Sequence, residues 1–494
     1  MTDRHTAVAE VADNHSLYSA FRTIASQSPG APAVVGFDGK VSSYSQLLEA
    51  ADAIAEDLSV SADIDLVLGL AVDDPFTFLA VYFAAAKLAW MVVLLDSRLS
   101  TNDRKRRAAH FDLDMLVFDG PAGPGSIRLE PVRTPCGKGA DSKAYLTTDF
   151  VIHCTSGSTG EPKGIVLSQA AILARARSWA HQMSLQPSDV VLCALPLWHC
   201  HGIDMLTVPA LLSGAKIIYM RGAHLTGRGL ARTISAYSVT FISGLPVMYQ
   251  MLTAAEGLDP SMLTSLRLAI TGSAPISAET QSLFRKRFGL PLQQVYGLSE
   301  IGAITYDADF ESDGTIGKPV PDIDWRLELT SVYAGDTRLS ELYVRGPSLA
   351  RGYYRDESAT AEMFVDGWLR THDLIDVQLN GWYIRGRKSS YVNVAGSKVA
   401  PIEVETALRD CAGIVDCAVV GVPDDDNGEQ VVALIIAEPE LDLNTLRREA
   451  SSRLLPYQIP QIYRIASAVP RTAIGKTDYD AVKRMVCRVE GLKG

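Results

Sequence analysis

Residues 155–164 read TSGSTGEPKG and are flanked on both sides by short apolar runs. The run before them, Phe150 to Cys154, and the run after them, Ile165 to Leu167, predict two buried strands. Ser168 then predicts the cap of a helix that starts with the sequence QAAILARARSW. Within the segment, glycines let backbone N–H groups converge, four hydroxyl groups can donate hydrogen bonds, and Lys163 adds a positive charge. This combination, placed between two strands, indicates a loop that holds a polyphosphate.

Two other interpretations of this loop fit its sequence less well. A Walker A loop requires Gly-Lys-Ser/Thr at the start of a helix, whereas Pro162 precedes the lysine here and Gly164 follows it. A flexible, solvated Gly/Ser linker is the other alternative. Such a linker is not typical between two apolar strands, and it does not typically contain Pro-Lys-Gly.

The composition is that of an ordinary globular protein, with 47% hydrophobic and 21% charged residues. A length of 494 residues predicts two or three domains, because a single compact core does not grow to that size. The net charge of −11 argues against nucleic acid as a main partner. It also means that an anionic ligand such as ATP requires a local cationic site.

Cysteine usage and apolar segments predict a cytoplasmic protein without a membrane span. The seven cysteines are scattered and form no CxxC pair, which is typical of free thiols in a reducing cytosol. The polar N-terminus shows no apolar region of a signal peptide. The most apolar segment, Phe76 to Leu95, contains Lys87, and we interpret it as a core helix followed by a buried strand. A transmembrane span is the weaker interpretation.

Apolar runs alternate with helical patterns from residue 17 to residue 300, which is typical of parallel sheets flanked by helices. After residue 310 the pattern changes to short strands separated by turns. We therefore predict an α/β fold with a large N-terminal domain, residues 1–386, that includes a β-rich subdomain at about 310–386. A small α+β C-terminal domain, residues 387–494, follows. Because ligands bind at the carboxyl ends of parallel strands, the loops there are the candidate site.

The loop resembles the signature [S/T]SG[S/T]TGxPKG of the adenylate-forming superfamily, which comprises acyl-CoA synthetases, adenylation domains and luciferases. Six further segments resemble motifs of this family and follow the family's order. They are Leu195–His199 (LPLWH), Thr271–Pro275 (TGSAP), Tyr296–Glu300 (YGLSE), Thr371–Asp373 (THD), Gly386–Ser390 (GRKSS) and Pro470–Lys476 (PRTAIGK). The resemblance implies the family's fold, in which the C-terminal domain moves as a lid about a hinge at Ser389.

The resemblance also implies an ATP site assembled from these segments. The 155–164 loop would hold the β- and γ-phosphates, Ser299 would contact the α-phosphate, and Glu300 would hold Mg²⁺. Asp373 and Arg387 would contact the ribose, and an aromatic face and a glycine-containing turn would cover the adenine. The implied nucleotide-binding residues are Thr155, Ser156, Gly157, Ser158, Thr159, Gly160, Lys163, Gly272, Ser273, Ala274, Pro275, Tyr296, Gly297, Asp373 and Arg387.

The same resemblance implies which residues take part in the chemistry. Lys476, on a glycine-containing loop, would neutralise charge between the carboxylate and the α-phosphate. The ring of His199 would lie beside the reacting carboxyl group and gate the thiol tunnel. Together with Ser299 and Glu300, these are the implied catalytic residues.

Four positions depart from the family's motifs. Ser299 stands for threonine and keeps the hydroxyl group. His372 replaces a glycine, so a side chain must fit into a turn that normally has none. Ser389 replaces the hinge aspartate, and it is a small polar residue that can absorb a backbone rotation. Asn393 replaces a lysine that the family links to the thioester half-reaction.

The acid pocket is predicted near His201, Asp204, Met205 and Gly244. His199, His201 and Asp204 also suggest a metal site, but they lack helix-face spacing, and a buried, hydrogen-bonded histidine is the alternative. Asp204 could bind the ammonium group of an amino acid substrate. Its other interpretation is a helix-end or solvent-facing aspartate, and the sequence leaves both open.

The implied reaction has two steps. A small carboxylic acid, aromatic or short aliphatic, attacks the α-phosphate of ATP to give acyl-AMP and pyrophosphate, and a thiol then displaces AMP. Coenzyme A is the predicted thiol, and the phosphopantetheine of an acyl carrier protein acting in trans is the alternative. A non-catalytic nucleotide sensor is a third hypothesis, against which the retention of Glu300, Asp373 and Lys476 argues. Luciferase-type oxygenation is a further family activity that no sequence feature indicates.

Overall fold

The computed structural model describes residues 16–60, 66–132, 146, 148–155, 163–309, 314–334, 337–388, 391–394, 397–424, 428–472 and 476–488. Contacts between Cα atoms divide the chain into two compact units. The first comprises Met1–Asp313, Lys318–Asp324 and Arg345–Leu369, and the second comprises Gly314–Gly317, Trp325–Val344 and Arg370–Gly494. The predicted domain boundary at residue 386, with a mobile lid after it, stays a prediction.

The first unit contains a nine-stranded sheet whose six central strands are parallel. These central strands are apolar and almost completely buried, as expected for parallel strands covered on both faces. In sheet order the strands are Lys318–Pro319, Gly302–Tyr306, Leu292–Leu298, Leu268–Thr271, Phe241–Gly244, Val190–Cys193, Lys216–Tyr219, Pro32–Val35 and Val41–Ser43.

A seven-stranded sheet in the same unit carries the two strands that flank the predicted phosphate loop. Its four central strands are parallel, and antiparallel strands lie at both edges. Buried apolar side chains such as Val93, Phe111 and Ile152 form its core. In sheet order the strands are Gly352–Tyr353, Lys163–Ser168, Asp149–Thr155, Met91–Leu94, Val67–Leu70, Met115–Asp119 and Ile127–Pro131.

Side-chain caps mark the start of several helices in the first unit. Ser168 accepts a hydrogen bond from the backbone N–H of Ala171 at 3.1 Å, so the predicted cap is confirmed. The α-helices are Leu17–Gln27, Tyr44–Val60, Pro75–Leu88, Thr101–His110, Gln169–Gln182, Cys200–Gly202, Val208–Leu212, Gly227–Tyr237, Pro246–Ala254, Ala278–Phe288 and Glu357–Met363. A π-helical segment spans Ile203–Thr207, and 3-10 turns span Gly222–His224 and Pro260–Leu263.

The helix Pro75–Leu88 is buried along almost its whole length, so the predicted core helix is confirmed. Among the described residues, no helix combines the length and the apolar character that a bilayer crossing requires. The six cysteines that the structure describes all have free thiols.

The second unit contains two sheets. The strands of the first sheet that lie mainly in this unit are Asp324–Ala334, Thr337–Arg345, Trp368–Gln378 and Gly381–Arg387. The second sheet consists of Ser397–Val399, Val392–Val394, Gly428–Ala437, Ile414–Asp424 and Ile462–Ile465. Helices Pro401–Arg409 and Leu443–Ser451 pack on one face of the second sheet, and Tyr479–Arg488 packs on the other.

The predicted α/β fold is confirmed, but three details differ from the sequence-based expectation. The sequence pattern at residues 368–370 and 374–377 predicts two separate strands, but both segments belong to one strand, Trp368–Gln378. Residues 120–142 are rich in glycine, proline and charge, which predicts a surface connection, but they contain the strand Ile127–Pro131. The strand Gly302–Tyr306 was not predicted. The last two strands are short and belong to the antiparallel margins of their sheets, where alternation of apolar residues is a weak signal.

Candidate active site

The two strands predicted on either side of the phosphate loop are confirmed, and they pair antiparallel, with Thr155 opposite Lys163. Residues 156–162 lie outside the described part of the chain. The roles of Ser156, Gly157, Ser158, Thr159 and Gly160 therefore stay predictions, as does the role of the Thr155 side chain. Lys163 is half-buried, and its ammonium nitrogen lies 5.3 Å from the centre of the Tyr353 ring.

Tyr353 also contacts Glu300, the predicted metal-binding residue. The Tyr353 hydroxyl donates a hydrogen bond of 2.6 Å to Oε1 of the Glu300 carboxylate. The backbone carbonyl of Glu300 accepts a hydrogen bond of 2.7 Å from the N–H of Ala350. The Tyr353 side chain therefore contacts both Lys163 of the phosphate loop and Glu300 of the YGLSE segment.

The surroundings of Glu300 fit a magnesium ion that is shared with a nucleotide. Mg²⁺ prefers hard oxygen ligands and takes most of them from water and substrate phosphates, with one or two carboxylates from the protein. The half-buried Glu300 side chain offers such hard oxygen ligands, and the Tyr353 hydrogen bond engages one of its two carboxylate oxygens, Oε1. Within those residues, no group of three or more His, Cys, Asp or Glu side chains is arranged to hold a metal ion, which argues against the His199, His201 and Asp204 alternative.

The YGLSE segment begins at the end of the strand Leu292–Leu298. Gly297 lies so close to the neighbouring strand that a Cβ atom there would be 2.2 Å from the carbonyl oxygen of Gly302. The backbone approach thus requires glycine. Ser299 Oγ lies 3.1 Å from the Cys200 sulfur, and Tyr296 is buried in the strand.

His201, two residues after the LPLWH segment, contacts the TGSAP turn. Its Nδ1 lies 2.9 Å from the Ser273 hydroxyl, and its Nε2 lies 2.8 Å from the Ser243 hydroxyl. Both ring nitrogens of this buried histidine have partners, so the structure favours the hydrogen-bonded histidine among the two alternatives. Ser273 adopts a left-handed backbone conformation with φ of +66°, next to Gly272.

The other predicted pocket residues follow two neighbouring parallel strands. His199 lies after Val190–Cys193, and its Nδ1 accepts a hydrogen bond of 3.3 Å from the N–H of His201. Gly244 ends the strand Phe241–Gly244, which pairs with the first strand. Met205 is buried in the π-helical segment, while Ala274 is half-buried and Pro275 exposed in the turn.

Asp204 is completely buried and its charge is already compensated. Its Oδ2 accepts a hydrogen bond of 2.6 Å from Arg175 Nη1, and His153 Nε2 lies 3.0 Å from the same oxygen. Burial alone would raise the pKa of the Asp204 carboxyl, but the neighbouring His153 and Arg175 outweigh burial and hold the pKa below its ordinary value. An ammonium-binding role is therefore not part of the function that we propose.

In the second unit, the two predicted ribose-binding residues pair directly. Asp373 and Arg387 lie opposite each other on antiparallel strands, and Arg387 Nε donates a hydrogen bond of 3.0 Å to Asp373 Oδ1. Asp373 is buried, whereas the Arg387 side chain is about half exposed. The arrangement presents one carboxylate and one guanidinium side by side.

In the second unit, the backbone of Lys476 makes two hydrogen bonds with Thr472. Its carbonyl accepts a hydrogen bond of 2.7 Å from the Thr472 N–H, and its own N–H donates to the Thr472 hydroxyl at 3.2 Å. Residues 473–475 and the predicted hinge residue Ser389 lie outside the described part of the chain. Asn393 is half-buried, and its backbone N–H donates to Glu429 at 2.8 Å.

Comparison with known families decides the classification. A family model described as AMP-binding enzyme matches residues 21–354, and one described as AMP-binding enzyme C-terminal domain matches residues 403–476. The chain belongs to the AMP-binding enzyme family. The predicted membership of the adenylate-forming superfamily and the predicted ligase class are thereby confirmed.

Curated relatives of this AMP-binding enzyme include several ligases. The indoleacetate–CoA ligase of Aromatoleum aromaticum is 30% identical over 93% of this chain and 96% of the relative. The 2-succinylbenzoate–CoA ligase of Bacillus licheniformis is 28% identical over 78% of this chain and 82% of the relative. The ATP-bound structure of MatB from Rhodopseudomonas palustris has a TM-score of 0.84 at 22% identity, covering 96% of this chain and 99% of that chain. At this identity the structural likeness shows the fold alone.

Two contact residues of this AMP-binding enzyme, Tyr353 and Arg175, were not among the predicted site residues. Arg175 lies in the helical sequence QAAILARARSW, where an arginine is typical of a solvated face. In the structure it is buried, and its Nη2 donates to the carbonyl oxygens of Ser299 and Ser348, at 3.2 Å each. Spacing in the sequence gave no signal for either residue.

His372, which replaces the family's glycine, has a left-handed backbone with φ of +59°. We expect His372→Gly to change stability little, because relief of about 1 kcal/mol of backbone strain offsets the lost side-chain contact. His372→Ala should be less stable than His372→Gly by about 1 kcal/mol, because it keeps the strain and loses the 3.1 Å contact of Nδ1 with Glu341. Urea-induced unfolding of the two variants measures the difference. Equal stability of the two variants would contradict the proposed backbone strain at position 372.

Glu341 is buried beside Arg370 and Lys388, whose nitrogens lie 2.7 Å and 2.8 Å from its oxygens. Burial alone would raise the pKa of this carboxyl, but the hydrogen bonds and charges of Arg370 and Lys388 lower the pKa from 4.5 to about 2. A lowered folded-state pKa contributes stability above pH 4.5 that is lost as the pH falls towards 2.

We therefore expect Glu341→Gln to destabilise the protein by about 2 kcal/mol at pH 7. The gap between variant and parent should shrink as the pH falls below the ordinary carboxyl pKa, because Glu341 in the unfolded parent then takes up a proton that the folded state binds less readily. Urea unfolding of both proteins at pH 7, 5 and 3.5 measures the gap. A gap that stays constant over this range would show that the charge of Glu341 does not contribute.

Proposed function

We propose that this protein is an AMP-forming acid–coenzyme A ligase. The observation that carries the proposal is the similarity to indoleacetate–CoA ligase along nearly the whole of both chains. The chain retains Glu300, Asp373 and Lys476, which is the set of charged side chains that the reaction requires. We propose a cytoplasmic enzyme that works on free coenzyme A.

The first unit supplies groups for the triphosphate. The backbone N–H groups and hydroxyls of the 155–164 loop hold the β- and γ-phosphates, and Lys163 contributes a positive charge in a chain of net charge −11. Glu300 would hold Mg²⁺, which supplies charge neutralisation at the phosphate oxygens. Ser299 offers its hydroxyl to the α-phosphate, and Tyr296 and the turn at Gly272–Pro275 receive the adenine.

The second unit supplies groups for the ribose and the reacting centre. The Asp373 carboxylate accepts hydrogen bonds from the ribose hydroxyls, and Arg387, which pairs with it at 3.0 Å, keeps that carboxylate oriented. Lys476 provides a positive charge between the attacking carboxylate and the α-phosphate. Because both groups are anions, this charge lowers the barrier to their approach.

The enzyme's own residues therefore bind and orient, and little acid–base catalysis is required. The carboxylate oxygen attacks the α-phosphorus, the bond to the β-phosphate oxygen breaks, and pyrophosphate leaves with the electron pair. The coenzyme A thiolate then attacks the acyl carbon, and AMP leaves as the phosphate anion. His199, which follows the strand Val190–Cys193, lines the path of the acid and the thiol.

We propose an aromatic acid of modest size as the substrate class. Curated relatives include indoleacetate–CoA ligase, 2-succinylbenzoate–CoA ligase and feruloyl-CoA synthase, whose names all denote aryl-containing acids. The pocket residues His201, Met205 and Gly244 combine a polar, an apolar and a small group. The Asp204 carboxylate is compensated by Arg175, so no residue of this group offers a free charge to an amino acid.

Incubation of the protein with ATP, Mg²⁺, coenzyme A and a panel of aryl and short aliphatic acids tests the proposal. We expect acyl-CoA, AMP and pyrophosphate in equal amounts with at least one aryl acid, detected by mass spectrometry. Thioester on a holo acyl carrier protein but not on coenzyme A would contradict the proposed acceptor. Nucleotide binding without AMP release for every acid would contradict the ligase activity and favour the sensor hypothesis.

A further inference from the structure

We propose that Tyr353 is a positioning residue that holds Glu300 and Lys163 in fixed relation to each other. The inference rests on the proposed function in one respect, because it takes Glu300 as the carboxylate that would hold Mg²⁺. Tyr353 itself belongs to no segment that the family resemblance singled out.

The hydroxyl of Tyr353 acts on one half of the Glu300 carboxylate. It donates to Oε1 at 2.6 Å, a short distance that is typical of a hydroxyl bound to an ionised carboxylate. A carboxylate held at one oxygen presents the other oxygen in a fixed direction. Residues that orient a metal-binding carboxylate in this way commonly contribute about 10- to 100-fold to metal affinity.

The ring of Tyr353 acts on Lys163. The ammonium nitrogen lies 5.3 Å from the ring centre, a distance at which a cation is attracted to an aromatic face. The ring itself is held edge-to-face against Phe364, with 5.8 Å between the ring centres. The Tyr353 side chain therefore contacts the Lys163 ammonium group through its ring and the Glu300 carboxylate through its hydroxyl.

The backbone makes Tyr353 part of the phosphate-loop hairpin. The strand Gly352–Tyr353 pairs antiparallel with Lys163–Ser168, and Tyr353 lies opposite Ile165. The N–H of Tyr354 donates to the Gly164 carbonyl at 2.7 Å. The position of the phenol is therefore fixed relative to the base of the phosphate loop. The hydrogen bond from its hydroxyl fixes the Glu300 carboxylate relative to the same base.

The neighbouring tyrosine provides a matched control. Tyr354 also donates its hydroxyl to a carboxylate, that of Asp112, at 2.9 Å. Asp112 is not among the residues of the candidate site. Tyr353→Phe and Tyr354→Phe therefore remove the same group from adjacent positions of the chain, and of these two hydroxyls the one on Tyr353 bonds to Glu300.

Equilibrium binding of ATP to the full-length protein, with Mg²⁺ and with EDTA, tests the inference without any turnover. We expect the parent to bind ATP more tightly with Mg²⁺. Tyr353→Phe should lose about tenfold or more of the affinity measured with Mg²⁺ and keep the affinity measured with EDTA. Tyr353→Leu should in addition lose about two- to fivefold with EDTA, because Lys163 loses its aromatic neighbour. Tyr354→Phe should match the parent under both conditions.

Mn²⁺ binding followed by electron paramagnetic resonance, in the presence of ATP, provides a second readout on the same variants. The inference is overturned if Tyr353→Phe keeps the parent's metal-dependent affinity, or if Tyr354→Phe loses as much. A parent whose ATP affinity is the same with Mg²⁺ and with EDTA would contradict the role of Glu300, and with it this inference. The absence of thioester formation with any acid would contradict the proposed function and leave these binding results intact.

Discussion

Replacement of Lys476 by alanine is expected to lower the rate of acyl-AMP formation by about 10²- to 10³-fold. This is the usual effect of removing one preorganised positive or hydrogen-bonding group from a site where charge develops. The backbone of the half-buried lysine makes two hydrogen bonds with Thr472, of 2.7 Å and 3.2 Å. These bonds fix the backbone from which the ammonium group extends.

Carboxylate-dependent exchange of labelled pyrophosphate into ATP measures this first step alone. The rate of the second step, attack of coenzyme A on acyl-AMP supplied to the enzyme, should fall by less than about threefold. In that step no carboxylate approaches a phosphate anion. Lys483→Ala is the matched control, since Lys483 is exposed on the following helix, Tyr479–Arg488. An unchanged exchange rate in Lys476→Ala, or an equal loss in Lys483→Ala, would contradict the assignment.

The second large effect is expected at the buried pair of Arg175 and Asp204. Arg175→Met should destabilise the first unit by about 3–5 kcal/mol, because it leaves the buried Asp204 carboxylate without the guanidinium that bonds to it at 2.6 Å. It also leaves the carbonyl oxygens of Ser299 and Ser348 without the donor that now lies 3.2 Å from each. The free energy of local opening should therefore fall both in the YGLSE segment and in the helix Gln169–Gln182.

A double-mutant cycle separates the charge pair from the loss of packing. Arg175→Met combined with Asp204→Asn removes both charges, so it should be less destabilising than the sum of the single changes by about 2 kcal/mol. Hydrogen exchange of the backbone amides in Gln169–Gln182 measures the local free energy of opening. Arg106→Met removes an arginine from an exposed pair with Asp103 and should leave this free energy nearly unchanged, because exposed ion pairs stabilise a fold only weakly.

Two results would contradict this interpretation of Asp204. One is additivity of the two changes, which would mean that the side chains do not stabilise each other. The other is a parent enzyme that activates amino acids better than the corresponding acids without the amino group. That preference would return Asp204 to the ammonium-binding role that the sequence left open.

Those parts of the site that depend on local pattern could be predicted from the sequence. The two strands that flank the phosphate loop follow from two apolar runs, and the next helix starts at Gln169 after its predicted cap, Ser168. The Asp373 and Arg387 pair followed from two short motifs of a known family. In the structure these residues lie opposite each other on neighbouring strands.

The parts that could not be predicted depend on contacts between distant segments. Tyr353 lies 53 residues from Glu300 in the sequence, and Arg175 lies 173 residues from Ser348. No periodicity or spacing connects such positions, because the sheet order brings them together. The compensation of Asp204 was missed for the same reason, since its partners His153 and Arg175 belong to another strand and another helix.

The most direct test of the proposed reaction uses an aryl acid whose carboxyl group is labelled with oxygen-18. Attack of that carboxylate on the α-phosphorus of ATP places one labelled oxygen in the AMP that coenzyme A later displaces. We expect mass spectrometry to find AMP with one oxygen-18 and pyrophosphate with none. Label in pyrophosphate or orthophosphate, or unlabelled AMP beside acyl-CoA, would contradict adenylation of the acid by this protein.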